Sequence, residues 1–169
     1  GTGLLKRMDG APTAALLRAA KARGCTTTFD LIAPNDGTMA IVGPCLPYID
    51  YFMPSMEEAV ALSGREDPAE AARFFFDAGA AACVFKWGER GSYLATPDGG
   101  QRIPAFAVDV VDTTGCGDAY CAGFIAGLSR GFDLERACRL ATAASGLVAT
   151  GLGSDAGIID FEQTAKLAA

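Results

Sequence analysis

Hydrophobic residues along the chain fall either into stripes with helical spacing or into short β-rich runs, and the two patterns predict alternating helices and strands. Leu16, Leu17 and Ala20 form one such stripe, typical of a helix that buries one face. Residues 81–86, which are apolar up to the final Lys86, are typical of a buried strand. In the first part of the chain, the patterns predict a helix at 9–23, a strand at 25–32, a broken helix at 38–48 and a strand at 49–53. They next predict one helix after Ser55, another from Asp67 to about Ala78, and strands at 81–86, 92–96 and 101–106. The last predicted helices lie at 119–130, from Asp133 to about Thr150 and after Asp160.

Polar residues and prolines mark several of the predicted boundaries. Ser55 followed in the next turn by Glu58 is the pattern of a capping box. Asp67 before Pro68 is typical of a helix start in which the aspartate caps and the proline occupies the first turn. Prolines and a glycine inside 38–48 are expected to break that helix.

The predicted order of elements is α, β, α, β, α, α, β, β, β, α, α, α. Helices and strands alternate in the first part, which predicts a parallel sheet with helical crossovers. Consecutive strands in the middle predict an antiparallel hairpin. The sequence contains no repeat, no low-complexity tract and no evident linker. We therefore expect one layered α/β domain.

Composition and charge narrow the range of partners. The 169 residues are 50% hydrophobic and carry 14 basic and 20 acidic side chains, which gives a net charge of −6. An acidic chain lacks the positive field that attracts nucleic acid or an anionic membrane surface. The longest uncharged run, 140–154, is too short and too polar to span a bilayer. We expect neither a nucleic-acid partner nor a membrane partner.

The histidine and cysteine content excludes several chemistries. The chain has no histidine, and its six cysteines form no C-x-x-C pair. Zinc sites of the cysteine–histidine type and histidine-based catalytic triads are therefore excluded. Most of the cysteines lie in apolar stretches, where a cysteine acts as a small buried hydrophobe. This pattern favours a reduced, cytoplasmic protein.

The segment most suggestive of chemistry is DTTGCGD, residues 112–118. A valine-rich strand at 108–111 is expected to run into it, and a helix is expected to follow. Gly115 and Gly117 remove side chains where backbone N–H groups can converge at the start of that helix, which is the architecture of an anion site. A carboxylate such as Asp118 repels a bound phosphate unless it has a task, such as accepting the proton of an attacking hydroxyl.

Structural roles explain the same residues without catalysis. Asp118 can be the N-cap of its helix, and Gly115 and Gly117 can be ordinary turn residues.

Two nucleotide-binding motifs are excluded. The dinucleotide-binding pattern needs a third glycine where Tyr120 stands, and the Walker A loop needs a G-K-[ST] sequence that is missing here.

The run DTTGCGDAYCAGFIAGL resembles the signature of the ribokinase-like (pfkB) carbohydrate kinases, whose usual form is D-T-x-G-A-G-D followed by a helix of small residues. FDLIAP, LPYIDYFMPSMEEA, VFKWGERGSYL and ATAASGLVATGLGS resemble the family in the same order. The resemblance implies a three-layer α/β/α ribokinase-like fold with a mostly parallel sheet. It implies that 1–169 are the C-terminal, nucleotide-binding and catalytic part, with the N-terminal part and its substrate lid outside. Residues 1–3 are then expected inside a βα connection.

The resemblance also implies roles for the residues of the motif. Asp118 is the expected base that deprotonates the sugar hydroxyl. The amides of Gly115, Cys116 and Gly117 are the expected anion hole for the transferred γ-phosphoryl group. Most of the rate is then expected from preorganised amides and a metal ion. At a helix N-terminus, the Cys116 thiol is expected to have a lowered pKa and to be open to oxidation or alkylation.

Other positions match the family with substitutions. Ser55 and Glu58 align with the family's N-x-x-E motif, so they are expected to help organise the phosphates and the Mg²⁺ water shell; the alternative is the capping box. The loop with Gly88 and Gly91 resembles the nucleotide loop of these kinases, and the alternative is an ordinary hairpin turn. Lys86 stands where the family has a small polar residue, and it either reaches a phosphate as a point charge or extends to solvent from the strand end.

A monovalent cation (K⁺) site is implied as well. Its expected oxygen ligands come from Asp112, Thr114 and the carbonyls of Val148, Gly151 and Gly153. The alternative is a loop in which Asp112 binds neighbouring amides. Thr142 stands where many members have an asparagine near the adenine, and it is expected to make a weaker contact there.

These expectations combine into an ATP- and Mg²⁺-dependent phosphotransferase that moves the γ-phosphoryl group of ATP to a hydroxyl of a sugar or related small alcohol. The expected partners are ATP and a small-molecule sugar, and the family's lid implies a homodimer of the full-length protein. Two alternatives stay open. One is a kinase of hydroxymethylpyrimidine or pyridoxal-type alcohols in the same superfamily, and the other is a non-catalytic nucleotide-binding regulatory module.

Overall fold

The computed structural model describes residues 8–169, so the expectation for residues 1–3 lies outside the described residues. Within that range the chain forms seven α-helices and five strands in the predicted order, and none of these helices is long and apolar enough to cross a membrane. The helices are α1 (Ala11–Ala22), α2 (Thr38–Val42), α3 (Met56–Ser63), α4 (Pro68–Asp77), α5 (Cys116–Ser129), α6 (Leu134–Val148) and α7 (Phe161–Ala168). The strands are β1 (Thr28–Phe29), β2 (Tyr51–Phe52), β3 (Ala82–Lys86), β4 (Ser92–Thr96) and β5 (Gly99–Ile103), and 3₁₀ segments lie at Gly43–Tyr48 and Gly88–Arg90.

The five strands of residues 8–169 form one sheet in the order β1-β2-β3-β4-β5. β1 pairs with β2 and β2 pairs with β3 in parallel, with Thr28 opposite Tyr51 and Tyr51 opposite Ala82. Only the turn at 97–98 separates β4 from β5. A connection this short joins antiparallel neighbours, because parallel neighbours need a long crossover. The predicted mostly parallel sheet with one hairpin is confirmed.

The chain divides into two compact units. The first contains the chain up to Phe85 together with Ala95–Gln101, and the second contains Lys86–Leu94 and Arg102–Ala169. β1 and β2 therefore belong to the first unit, and α5, α6 and α7 belong to the second. The glycine-rich segment 112–118 lies wholly in the second unit.

Phenylalanines form the centre of the core in the first unit. Phe52, Phe75 and Phe85 are all fully buried. The ring of Phe75 lies 4.8 Å from that of Phe52 and 6.0 Å from that of Phe85, both in edge-to-face arrangements. Such pairs add to the free energy gained from burying the rings, so this cluster joins α4 to β2 and β3.

Side-chain caps begin the helices where the sequence predicts them. Asp67, Asp133 and Asp160 each accept a hydrogen bond from an amide in the first turn of α4, α6 and α7. Ser55 and Glu58 form the predicted capping box, with distances of 3.1 Å from the Glu58 amide to the Ser55 hydroxyl and 2.8 Å from the Ser55 amide to Oε2 of Glu58. Each cap provides a partner for amides that the helix itself leaves unbonded.

The predicted strand at 108–111 is wrong. In the described chain these residues have no strand partner, because the amides of Val111 and Asp112 donate to the carbonyl of Ala149 at 2.8 and 3.3 Å. The side chain of Val110 is 63% exposed. Valine content favours a strand, but here the backbone binds to the end of α6 instead.

Two glycines let α5 approach α6 closely in the second unit. A Cβ added at Gly123 would lie 2.8 Å from the Cα of Ala141, and one added at Gly127 would lie 3.0 Å from the Cα of Ala137. Gly123 and Gly127 are four residues apart, so they lie on one face of α5. Packing against α6 thus explains why small residues recur on α5, the helix that follows residues 112–118.

Replacing one of these glycines is expected to destabilise the protein. Gly123→Ala should lower the free energy of unfolding by about 1–3 kcal/mol, because the new methyl group overpacks the contact with α6. Gly146→Ala is the matched control, since a Cβ there would meet Val108 Cγ1 at an ordinary 3.6 Å. The control should gain up to about 1 kcal/mol from the helix propensity of alanine.

Urea unfolding followed by circular dichroism measures both values. A Gly123→Ala protein as stable as the parent would contradict the close packing of α5 on α6.

Candidate functional site

The glycine-rich segment forms the first turn of α5, which begins earlier than the sequence predicts. The helix starts at Cys116, and Gly115 is its N-cap with a φ of 79° in the left-handed region. That backbone conformation favours glycine. A Cβ at Gly115 would also lie 2.5 Å from the Cβ of Ser154. Conformation and close approach therefore both require glycine at this position.

Asp118 does not cap α5. It is the third residue of the helix, and its side chain is exposed. The cap position belongs to Gly115, where no side-chain hydrogen bond caps the helix. The alternative of a capping aspartate is therefore wrong. An exposed carboxylate instead stands in the first turn of α5.

The amides of this turn are not equivalent. The Cys116 amide donates to the carbonyl of Thr113 at 3.2 Å, which closes the segment on itself. Of the three amides expected to form the anion hole, the Cys116 amide thus has a partner within the chain, and the hole itself stays a prediction. The amides of Gly115 and Gly117 lie where the helix dipole favours an anion.

Lys86, at the end of β3, lies beside this turn. A Cβ at Gly117 would be 3.6 Å from Nζ of Lys86, and the same Nζ lies 3.9 Å from Sγ of Cys121. Gly117 and Cys121 are four residues apart and share a face of α5. A positive point charge is therefore held over the N-terminal turns of the helix, where an anion is already favoured. Sequence reasoning missed Cys121, although its spacing from Gly117 could have indicated a shared face.

Asp112 joins its own loop to the loop that follows α6. Its Oδ1 accepts hydrogen bonds from the amide and the hydroxyl of Thr114 at 3.0 and 2.9 Å, and its Oδ2 accepts one from the Gly153 amide at 3.4 Å. These hydrogen bonds, led by the one from the Thr114 amide, lower the pKa of Asp112. The carboxylate of Asp112 therefore stays ionised. The structure contains the predicted alternative, a loop in which Asp112 binds neighbouring amides.

The expected ligands of a monovalent cation come from the same part of the chain. Gly153 contacts Asp112, and the carbonyl of Val148 accepts a hydrogen bond from the Gly151 amide at 3.4 Å. One carboxylate and several carbonyl oxygens are hard donors that suit such a cation. Within residues 8–169 no three cysteine, aspartate or glutamate side chains cluster as a metal cage.

Ser55 and Glu58 belong to the first unit. Oε2 of Glu58 accepts a hydrogen bond in the capping box, which was the predicted alternative to a phosphate and Mg²⁺ role for this pair. A carboxylate has two oxygens, and the box uses one of them.

Gly88 and Gly91 flank the 3₁₀ turn after β3, with φ values of 54° and 86°. A Cβ at Gly91 would lie 2.0 Å from the carbonyl oxygen of Ile103, so this loop requires glycine there. The Trp87 amide donates to the Gly91 carbonyl at 2.8 Å, which closes the turn. The structure thus contains the hairpin turn that was the alternative to a nucleotide loop.

Arginines cover Trp87 in this loop, which the sequence did not indicate. The guanidinium groups of Arg90 and Arg102 lie 5.3 and 5.9 Å from the centre of the Trp87 ring. Nε of Arg102 also donates to the carbonyl of Arg90 at 3.1 Å. Trp87 therefore packs within the loop against two cations.

Thr142 is 6% exposed, and its hydroxyl donates to the Cys138 carbonyl at 2.9 Å. Its contact near the adenine stays a prediction. The expected lowered pKa of Cys116 is wrong. Burial raises the pKa of this thiol and the charge of Asp112 raises it further, against a lowering hydrogen bond with Ser145. Burial, the largest of these effects, disfavours the charged thiolate.

Known proteins are similar to this chain in sequence and in fold. The model of the pfkB family carbohydrate kinases matches residues 2–160. The ribokinase of Staphylococcus aureus is 31% identical over 150 residues, which cover 85% of this chain and 48% of that protein. The crystal structure of ribokinase from Thermotoga maritima is 31% identical with a TM-score of 0.78, over 90% of this chain and 52% of that one.

A ribokinase II candidate from E. coli, solved in complex with ATP and Mg²⁺, is 25% identical with a TM-score of 0.82, over 92% of this chain and 52% of that one. The chain thus spans about half the length of these relatives. It belongs to the pfkB family of carbohydrate kinases and has the ribokinase-like fold.

Proposed function

We propose that this chain is the nucleotide-binding and catalytic part of an ATP-dependent sugar kinase, which transfers the γ-phosphoryl group of ATP to a hydroxyl of a sugar or related small alcohol. One observation carries the proposal. The first turn of α5 presents an exposed Asp118 that does not cap the helix, and Lys86 lies against the same turn at Gly117. Membership of the pfkB family and the similarity to ribokinases support it.

The start of α5 would supply the anion-binding part of the site. The amides of Gly115 and Gly117 and the positive end of α5 favour the phosphate oxygens of ATP. The ammonium group of Lys86 adds a mobile positive charge to these fixed dipoles. Fixed dipoles that meet developing negative charge contribute much of the rate in phosphoryl transfer.

Asp118 would act on the acceptor. Its carboxylate would accept the proton of the sugar hydroxyl as that oxygen attacks the γ-phosphorus. The proton leaves late in a loose transition state, so a weak but well-placed base suffices. A carboxylate beside a bound phosphate repels it, and accepting this proton would be the reason for Asp118 to stand there.

Metal ions complete the proposal. Mg²⁺, when bound, neutralises charge on the phosphate oxygens. Glu58 is the proposed ligand through water, using the oxygen that the capping box leaves. K⁺ is the proposed second cation, at the loop of Asp112, Thr114 and Gly153. The atoms that would bind it there are oxygens, and the carboxylate of Asp112 stays ionised.

Removing the base should abolish turnover and spare nucleotide binding. In the full-length enzyme, Asp118→Asn is expected to lower kcat by about a hundredfold or more, because an amide cannot accept the proton. The affinity for MgATP should stay within about threefold of the parent value. Asp109→Asn, at an exposed acid just before the motif, is the control and should keep the parent kcat.

Coupled measurement of ADP release and calorimetric titration of MgATP give the two values. Near-parental turnover of Asp118→Asn would remove the base from the proposal.

Removing the charge of Lys86 should weaken binding of phosphate-bearing ligands selectively. Lys86→Gln is expected to raise the Kd for MgATP about tenfold, the value of one lost charged contact, and to leave the Kd for adenosine unchanged. Lys86→Arg keeps the charge and should retain most of the affinity. Lys166→Gln, at an exposed lysine of α7, is the control.

Calorimetry with both ligands separates the outcomes. Equal losses for MgATP and adenosine would mean that Lys86 supports the fold of the site and not the phosphates.

A further inference from the structure

Cys121 and Lys86 are two nucleophilic side chains in contact at the edge of the proposed phosphate site. Nζ of Lys86 lies 3.9 Å from Sγ of Cys121. Both side chains are partly exposed, and Cys121 is not in a disulfide. An oxidant in solution can therefore reach the pair. The activity proposed above uses the charge of Lys86 and does not use the thiol.

The buried cysteines are in a different situation. Cys83 and Cys138 are fully buried, and burial raises the pKa of both thiols, that of Cys138 to about 12. A thiol that stays protonated and shielded reacts slowly with oxidants, because the thiolate is the reactive form. Among the cysteines of the helix α5, Cys121 has the lysine contact.

We propose that Cys121 and Lys86 form a redox-sensitive modification site, where a peroxide joins Sγ to Nζ through one oxygen atom. The Lys86 ammonium first releases one proton to water. The thiol and the amine then react with two equivalents of hydrogen peroxide to give the S–O–N bridge and three molecules of water. The S–H bond and one N–H bond break, and an S–O and an O–N bond form. Sulfur rises to the level of a sulfenic acid and nitrogen rises to that of a hydroxylamine. Three of the four peroxide oxygens leave as water, and the fourth becomes the bridge.

The geometry suits a bridge of this kind. The ammonium of Lys86 already donates a long hydrogen bond to the sulfur of Cys121 at 3.9 Å. An inserted oxygen closes this gap with less movement than a direct bond between sulfur and nitrogen. Cys121 is held by α5, which packs closely on α6 through Gly123 and Gly127. Lys86 has a flexible stem of methylene groups. The lysine can therefore move to the cysteine without a change in the helix.

The bridge would switch the phosphate site off. It converts the ammonium group to a neutral nitrogen and ties that nitrogen to Cys121, one turn beyond Gly117. This consequence rests on the proposed function of Lys86. Thiol reductants should reverse it, because four reductant thiols return the bridge to thiol, amine and one water while forming two disulfides.

Mass spectrometry of the peroxide-treated chain tests the link itself. A tryptic digest should contain the Lys86 and Cys121 peptides joined, with one oxygen gained and two hydrogens lost, and dithiothreitol should remove this species. Cys121→Ser and Lys86→Arg should not form it. Cys116→Ala, which removes the other partly exposed thiol of α5, should still form it. Oxidation of Cys121 without a joined peptide, or a joined peptide in Cys121→Ser, would overturn the proposal.

Calorimetric titration of MgATP into the full-length protein tests the consequence. Peroxide should raise the Kd of the parent about tenfold, dithiothreitol should restore it, and Cys121→Ser should resist the change. A linked protein with unchanged affinity would overturn the role of Lys86 at the phosphates while leaving the link established. An equal loss of affinity in Cys121→Ser would overturn the switch.

Discussion

The site depends on the backbone of Gly115. Its left-handed conformation turns the chain into α5, and the backbone of Ser154 lies so close that no side chain fits there. This one turn decides where α5 begins. It therefore decides that the amides of Gly115 and Gly117 open at the helix start, and that Asp118 stands in the first turn with its carboxylate exposed.

A helix that presents such a turn must itself be fixed. Gly123 and Gly127 let α5 lie against the backbone of α6. On the same helix, the buried Tyr120 shares a hydrogen bond of 2.7 Å with Ser92 of β4, and burial raises the pKa of the phenol. Fixed dipoles of this kind cost little reorganisation when charge develops in front of them. The helix α5 and the glycine-rich segment 112–118 thus form one structural unit, in which tight packing against α6 holds the polar end of the helix in place.

Local patterns were enough to predict much of the fold and part of the site. Caps such as Asp67 and Ser55 act on their own helix, so a short stretch of sequence contains both partners. The order of helices and strands followed from the same local signals. The glycine-rich turn could be read as an anion site because both the glycines and the helix start lie within one segment.

The remaining features depend on residues far apart in the sequence. Residues 108–111 have the composition of a strand but bind to Ala149, beyond the reach of a local pattern. Burial by neighbouring elements reversed the expected pKa shift of Cys116 and enclosed Thr142. The contact of Lys86 with Cys121 joins a strand end to a later helix, and no spacing rule relates those two positions.

Amide proton–nitrogen correlation spectra of the 169-residue chain test whether the first turn of α5 binds the phosphates of ATP, as we propose. Titration with MgATP should move the signals of Gly115 and Gly117 strongly. The signals of Gly64 and Gly131, glycines at other helix ends, should stay in place. Saturable shifts elsewhere, with Gly115 and Gly117 unmoved, would contradict the account.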